Sequence, residues 1–234
     1  MNKVIWMSWL QGLNDPNIPL LNKVCFKRWK YLNSNWDVIV IDKDNIKHYV
    51  PEYFDIIDGS NAPIQKQANL LRLLLLKKYG GIWADASLYP EKCADEFIDK
   101  ILNDTGFFSY RFIPRSLSVV DGNRETVNWF LVSSEPNHYL ISKWLDKIST
   151  RYTHNFDWKK YFQMHEDLCE LYDSDDKIKS IINNMVQVSE QIPHCCVKNY
   201  SGIKDFKFWN NRLESYVYKR PCIPNSLLEK MLNE

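Results

Sequence analysis

Asn69–Pro90, NLLRLLLLKKYGGIWADASLYP, passes from a leucine-rich run through a glycine pair to an apolar triplet, and then to Asp85 and Ser87. The run is predicted to be a helix that begins near Pro63, since proline is preorganised for a first helical turn, and stops at Gly80-Gly81. With Leu70, Leu71, Leu73, Leu74, Leu75 and Leu76 nearly all round it, this helix is expected to be buried. Gln65, Asn69 and Arg72 lie at i, i+4 and i+7 and share one face. A polar stripe on a buried helix needs partners, because an unpaired guanidinium away from water is too costly to persist. Either nearby carbonyls or a structural carboxylate satisfy it, or it lines a cleft and holds ligand hydroxyls.

Beyond the glycines, Ile82–Ala84 reads as a short strand that delivers Asp85 and Ser87 to its carboxyl end, side chains on one side at period two. Two oxygen-bearing side chains there suit a hard divalent cation such as Mg²⁺ or Mn²⁺, which prefers oxygen ligands and bridges to phosphates. The simpler alternative is a turn in which Asp85 binds its own backbone. Towards the amino terminus, Lys3–Trp9 reads as a strand, Leu20–Leu32 as a helix and Trp36–Ile41 as a second strand ending on Asp42. Strand, helix, strand implies a parallel pair and an α/β fold. Ligands of such sheets gather beyond the carboxyl ends of the strands, near Trp6–Ser8, Asp42 and Asp85.

After Pro90 the pattern predicts strands at Phe107–Phe112 and Val127–Val132 and helices at His138–Arg151 and Asp157–Tyr172. No fixed-period repeat or flexible linker divides residues 1–234, which are expected to be a single domain. A net charge of +1 over 234 residues argues against nucleic-acid binding by phosphate neutralisation. The segment Lys198–Arg220 carries six basic residues against Asp205 and Glu214, a basic face that suits solvent, phosphates or an anionic membrane. Val4–Leu10 lacks the flanks of a signal peptide, and Leu70–Leu76 is too short and too charged to span a bilayer. Six cysteines without C-x-x-C spacing are expected to be reduced thiols, as in a cytoplasm.

Four segments together, IWMSWLQG (Ile5–Gly12), NLLRLLLLKKYGGIWADASLYP, NWFLVSS (Asn128–Ser134) and IPH (Ile192–His194), resemble the capsular-polysaccharide-synthesis glycosyltransferases, relatives of the family 32 sugar transferases with their D-x-D motif. The similarity extends from Lys3 to about Lys219. It implies a GT-A-like, Rossmann-type mixed sheet flanked by helices with a helical C-terminal part. The implied chemistry is hexosyl transfer from a nucleotide-diphosphate sugar, a UDP-sugar, to a saccharide acceptor, with Mn²⁺ or Mg²⁺ as cofactor and retention of anomeric configuration. The family's Asp-x-x-Arg pair, which contacts the donor sugar, falls on Asn69 and Arg72, with Asn in place of Asp. Asp85 corresponds to the carboxylate that reaches ribose and metal. Ser87 stands where a stronger metal-binding carboxylate is expected.

By the same resemblance His194 returns to the metal or diphosphate. Lys219 and Arg220, in YVYKRP, are either cations for the leaving diphosphate, whose developing charge they would stabilise, or surface charges. Trp6, Ser8 and Asp42 frame the nucleotide. Gln65, Asn128, Trp129 and His165, the last with Glu166, lie at the sugar or acceptor. The acceptor is a growing saccharide, in one form lipid-linked at the inner membrane face with peripheral contact. A catalytically silent nucleotide-sugar binding module and a metal-dependent phosphohydrolase are the alternatives. The second lacks the dense carboxylate and histidine cluster of a two-metal site.

Overall fold

The computed structural model describes residues 1–111, 126–152, 156–189, 193, 216–219 and 223–233. Strand β1 (Val4–Ser8), helix α1 (Leu20–Leu32) and strand β2 (Asp37–Ile41) form the expected parallel pair with its crossover helix. Two short helices, α2 (Ile46–Tyr49) and α3 (Glu52–Ile57), lead to α4 (Ile64–Tyr79), which starts directly after Pro63 and ends at Gly80. Next come β3 (Gly81–Ala84), β4 (Leu88–Pro90), α5 (Ala94–Ile101), β5 (Phe107–Arg111) and β6 (Thr126–Ser133). The remaining elements are α6 (Tyr139–Ser149), α7 (Gln163–Ser174), α8 (Asp176–Asn184), β7 (Val217–Lys219) and α9 (Asn225–Asn233).

The main sheet has the order β2-β1-β3-β6-β5 and is mixed, β3 lying parallel to β1 while β6 is antiparallel to both β3 and β5. Strand alternation divides its side chains between two cores. Val4, Trp6, Trp83, Phe107 and Leu131 pack with the leucines of α4 and with Trp144 of α6. Ile5, Met7, Ile82, Ala84, Phe108 and Val132 pack on the opposite face with Trp29 and Phe97. Helix α4 is therefore buried as its composition predicts, and residues of Trp83's parity on β3 turn towards it.

The glycine pair is a packing requirement as well as a turn. Gly80 has φ +67° and Gly81 φ +91°, and a Cβ on Gly81 would lie 2.5 Å from Val4 Cγ1 and 2.6 Å from the Val4 carbonyl oxygen. Only glycine lets the chain leave α4 and pair at once with β1.

Two expectations need correction. The helix predicted over Asp157–Tyr172 begins only at Gln163, because the residues before it make tertiary contacts and a local side-chain turn in place of helical ones. Lys66 takes the Lys160 and Tyr161 carbonyls, Trp158 donates to Asn61 Oδ1, and Asp157 Oδ1 accepts from the Lys159 amide. The extended spacing predicted for Asp85 and Ser87 is also absent. The strand stops at Ala84, and the Leu88 amide donates to the Asp85 carbonyl at 2.9 Å, closing a turn that contains Ser87.

Candidate functional site

The carboxyl end of β3 meets α4 where Arg72 sits. Asp85 shares Trp83's parity, so its carboxylate comes out on the α4 side, and its amide donates to the Trp129 carbonyl at 2.9 Å, which anchors it to β6. Asp85 Oδ1 accepts from Trp83 Nε1 at 2.9 Å and from Arg72 Nη2 at 3.2 Å. Arg72 is 5% exposed, donates from Nε to the Ala68 carbonyl at 3.3 Å and from Nη1 to the Asn128 carbonyl, and lies 5.1 Å over the Trp83 ring. Burial pulls the guanidinium below its usual pKa, and the neighbouring Asp85 charge opposes that shift.

The polar stripe of α4 thus has its partners. It runs inward from exposed Gln65 to buried Asn69 and Arg72. Carbonyls and a carboxylate satisfy the guanidinium, as the simpler reading required. The described contacts of Asp85 all use Oδ1, however, and its side chain remains 30% exposed. A buried cation therefore orients a carboxylate that stays partly exposed.

A backbone irregularity sends Asn128 and Trp129 to different places. The β5–β6 register shifts between Ser109 and Arg111, and both Trp129 and Phe130 pack in the second core. Across this bulge the facing of β6 inverts, a common device beside functional sites. Trp129 stacks on Tyr110 at 5.1 Å, while Asn128 Nδ2 reaches Asn69 Oδ1 at 3.4 Å and Met164 Sδ at 3.5 Å. Asn128 therefore joins Asn69, Arg72 and Asp85, while Trp129 is buried in the second core.

Other expected residues are placed as follows. Trp6 is in the core, its indole donating to the Gly80 carbonyl at 3.0 Å. Ser8 ends β1 half-buried, opposite Ile41. Asp42 is buried, and its Oδ1 accepts from the Asp44 and Asn45 amides at 3.0 and 3.1 Å, which ties its carboxylate to the turn after β2. His165 is buried in the first helical turns of α7 against Phe162, and Glu166 pairs with Lys160 at 3.0 Å. Strand β7 pairs with β4 so that Lys219 stands opposite Leu88, which brings a basic residue of the late chain next to the Asp85–Leu88 turn. His194 and Arg220 lie outside the described residues.

Three contributors carried no sequence signal of their own. Trp83 looks like a core residue of an apolar strand, Met164 like a helix filler and Lys66 like a surface charge. Their indole, thioether and ammonium become contacts of the site or its rim only through the packing of α4, β6 and α7.

The donor set for a cation is small. Among the described residues no three His, Cys, Asp or Glu side chains gather in an arrangement able to hold a metal. The expected ligands Asp85 and Ser87 offer a part-exposed carboxylate and a half-buried hydroxyl, a set so small that a Mg²⁺ or Mn²⁺ ion there would have to take most of its ligands from water and substrate phosphates. Cys25, Cys93 and Cys169 are free thiols, and among the described residues no helix is long and apolar enough to cross a membrane.

The sheet and its site define a GT-A-like fold, and the fold comparison agrees. The PaToxG glycosyltransferase superposes with a TM-score of 0.51 at 16% identity, over 92% of this chain and 88% of that one. The galactosyltransferase LgtC, solved with donor and acceptor sugar analogs, gives 0.45 at 11% identity over 98% and 95%, too low to add to the argument. The chain belongs to the capsular polysaccharide synthesis protein family, whose sequence profile matches residues 1–220. It is also 27% identical over 158 residues to the O-glycosyltransferase braB of Annulohypoxylon truncatum, a match covering 62% of this chain and 36% of that one.

Proposed function

We propose that the chain is a retaining glycosyltransferase that moves a hexosyl unit from a UDP-sugar to a hydroxyl of a growing surface polysaccharide. The observation that carries this reading is the Arg72–Asp85 pair at the carboxyl end of β3, with Asn69 and Asn128 beside it and the carboxylate partly exposed. Strand ends in α/β sheets are where nucleotides bind. The pair gives such a site a fixed acceptor for ribose hydroxyls, and the two asparagine amides add directional partners for sugar hydroxyls.

In the reaction the bond between the donor's anomeric carbon and the β-phosphate oxygen breaks as the acceptor oxygen bonds to that carbon. UDP leaves with the bonding electron pair. The acceptor hydroxyl proton passes to a departing phosphate oxygen, since among the described residues no side chain of the site stands as a general base. Arg72 holds Asp85 in a single orientation throughout, and Lys219 lies on the strand next to the turn where the diphosphate would sit, suited to the charge that develops on it. A divalent cation held by Asp85 and Ser87 would supply further neutralisation of that diphosphate. The reduced cysteines fit a cytoplasmic enzyme, one that meets a lipid-linked acceptor at the inner membrane face.

The same geometry favours one rival, a silent nucleotide-sugar binding module, because Asp85 is the site's only described carboxylate and Ser87 is held in a turn. A panel of UDP- and GDP-sugars with Mn²⁺ or chelator, read by release of the nucleoside diphosphate, separates the two. Turnover of a UDP-sugar that is lost in Asp85→Ala is the expected result. UDP binding without turnover of any donor sinks the transferase reading.

A further inference from the structure

The loop before α7 is built around a feature that the proposed chemistry does not use. Lys66 is 6% exposed, and its ammonium donates to the Lys160 and Tyr161 carbonyls at 2.6 and 2.8 Å. Burial lowers its pKa, against the pull of the Asp167 and Glu166 charges. The Tyr152 hydroxyl donates to the Lys66 carbonyl, and Trp158, in contact with Tyr152 and Phe156, donates to Asn61 Oδ1 at 2.9 Å. A loop pinned so thoroughly to the start of α4 would be expected to bury its aromatics. Yet Tyr161 is 69% exposed, with the Lys66 ammonium 5.9 Å from its ring centroid.

Its position gives the exposure meaning. Lys66 is one turn before Asn69 on α4, and Met164, three residues after Tyr161, touches Asn128. The ring therefore stands at the rim of the Asn69–Asn128–Arg72 site, and an amphipathic aromatic costs little entropy to present there. A pyranose ring offers a face of C–H groups that packs on an aromatic plane while its rim hydroxyls stay hydrated or bonded.

We propose that Tyr161, held in register by the buried Lys66 ammonium, is the stacking surface on which the saccharide acceptor lies. The assignment rests on the transferase reading for the word acceptor, while contact between the ring and a saccharide is measured separately from turnover. Tyr161 is a binding residue and Lys66 a positioning residue.

Saturation-transfer NMR tests it with lactose, maltotriose and chitobiose as probes, in the presence of UDP. Wild type is expected to transfer saturation to the sugar C–H protons. Tyr161→Ala is expected to weaken sugar affinity by about threefold to tenfold, the size of an aromatic contact, with Tyr161→Trp retaining it. Lys66→Met, checked for fold by its melting curve, is expected to weaken sugar binding while UDP affinity stays within twofold of wild type. No transfer to any of the three sugars in wild type overturns the assignment, as does equal transfer in Tyr161→Ala. Failure of the donor panel with sugar contact intact would instead remove the transferase reading and leave the stacking surface standing.

Discussion

The two ends of α4 are both lined with charge, yet they are built in opposite ways. At the amino-terminal half Lys66, Asn69 and Arg72 are buried, and Arg72 meets Asp85 under the end of β3. At the carboxyl-terminal end a cleft of about 540 Å³ is lined by Glu52, Lys77, Lys78, Asn137, Asp146 and Ser149. There Lys77 lies 3.7 Å from Asp146 with both side chains substantially hydrated, and Lys78 donates to the Tyr49 carbonyl at 2.6 Å. The cleft is roomy but its charges cancel in water, and it lies at the amino end of β3. A buried, oriented ion pair can act on a ligand's charge, whereas a solvated pair is screened before a ligand arrives.

The sharpest way to break this contrast is to remove one member of each pair. Asp85→Ala leaves the Arg72 guanidinium buried without its carboxylate and is expected to cost about 3 kcal/mol in urea unfolding. It is also expected to lower nucleoside-diphosphate release by about 100-fold or more. Lys77→Ala, at the other end, should change stability by less than about 0.5 kcal/mol and leave turnover alone. Equal effects in the two variants would erase the distinction between the ends. Next in size is Gly81→Ala, where a Cβ would lie 2.5 Å from Val4 Cγ1 at a φ of +91°. Strain and overlap together are expected to cost about 3 kcal/mol, with a fall in urea midpoint that Val4→Ala partly restores.

These positions also show what the sequence made legible. Helix α4, the glycine turn, β3 and the parallel β1–β2 pair were readable because their signals are local: proline before the first turn, glycine after the last, and alternation along the strands. Arg72 and Asp85 were legible as needing partners, because a charge on a leucine helix or at a strand's end must be satisfied, and the structure pairs them with each other. The resemblance to the capsular polysaccharide family pointed to the same segment. Trp6 and Asp42 looked equally well placed, but the first is drawn into the core by the Gly80 carbonyl and the second into the turn after β2. Neither partner is visible in a pattern of residue types. The late start of α7 was hidden for the same reason, since the ammonium that takes its carbonyls comes from Lys66, far away in the chain.

The bulge in β6 offers a finer test, because it assigns adjacent residues to different tasks. Asn128→Ala keeps the backbone carbonyl that Arg72 uses and removes the amide beside Asn69. It is expected to raise the donor KM about tenfold while costing under about 1 kcal/mol of stability. Trp129→Ala, stacked on Tyr110 in the second core, should show the reverse, a loss of about 3 kcal/mol or more that precedes any effect on KM. Steady-state kinetics set beside unfolding curves for the two variants measures whether facing, and not proximity in sequence, divides site from core.

A last effect belongs to the far end of α4 and is read by pH. His138 precedes α6 at the β6–α6 corner, where the neighbouring Asn137 amide donates to the Lys77 carbonyl at 2.7 Å. Its Nε2–H donates to the Thr105 carbonyl at 2.8 Å, the ring stacks on Phe107, and burial lowers its pKa below 6.5. The folded chain therefore binds this proton less readily than the unfolded chain does. Above the unfolded pKa both states are neutral and nothing is lost; as pH falls below about 6.5 the unfolded state gains the proton first and stability declines. Urea unfolding at pH 7.5 and 5.5 should show a decline of up to about 1 kcal/mol attributable to this ring, and His138→Gln should flatten that part of the slope. Because His138 lies by the end of α4 remote from Arg72 and Asp85, the same substitution should leave the pH profile of donor cleavage unchanged. A shift in that profile would mean that the two ends of α4 are coupled, and the division drawn between them would fail.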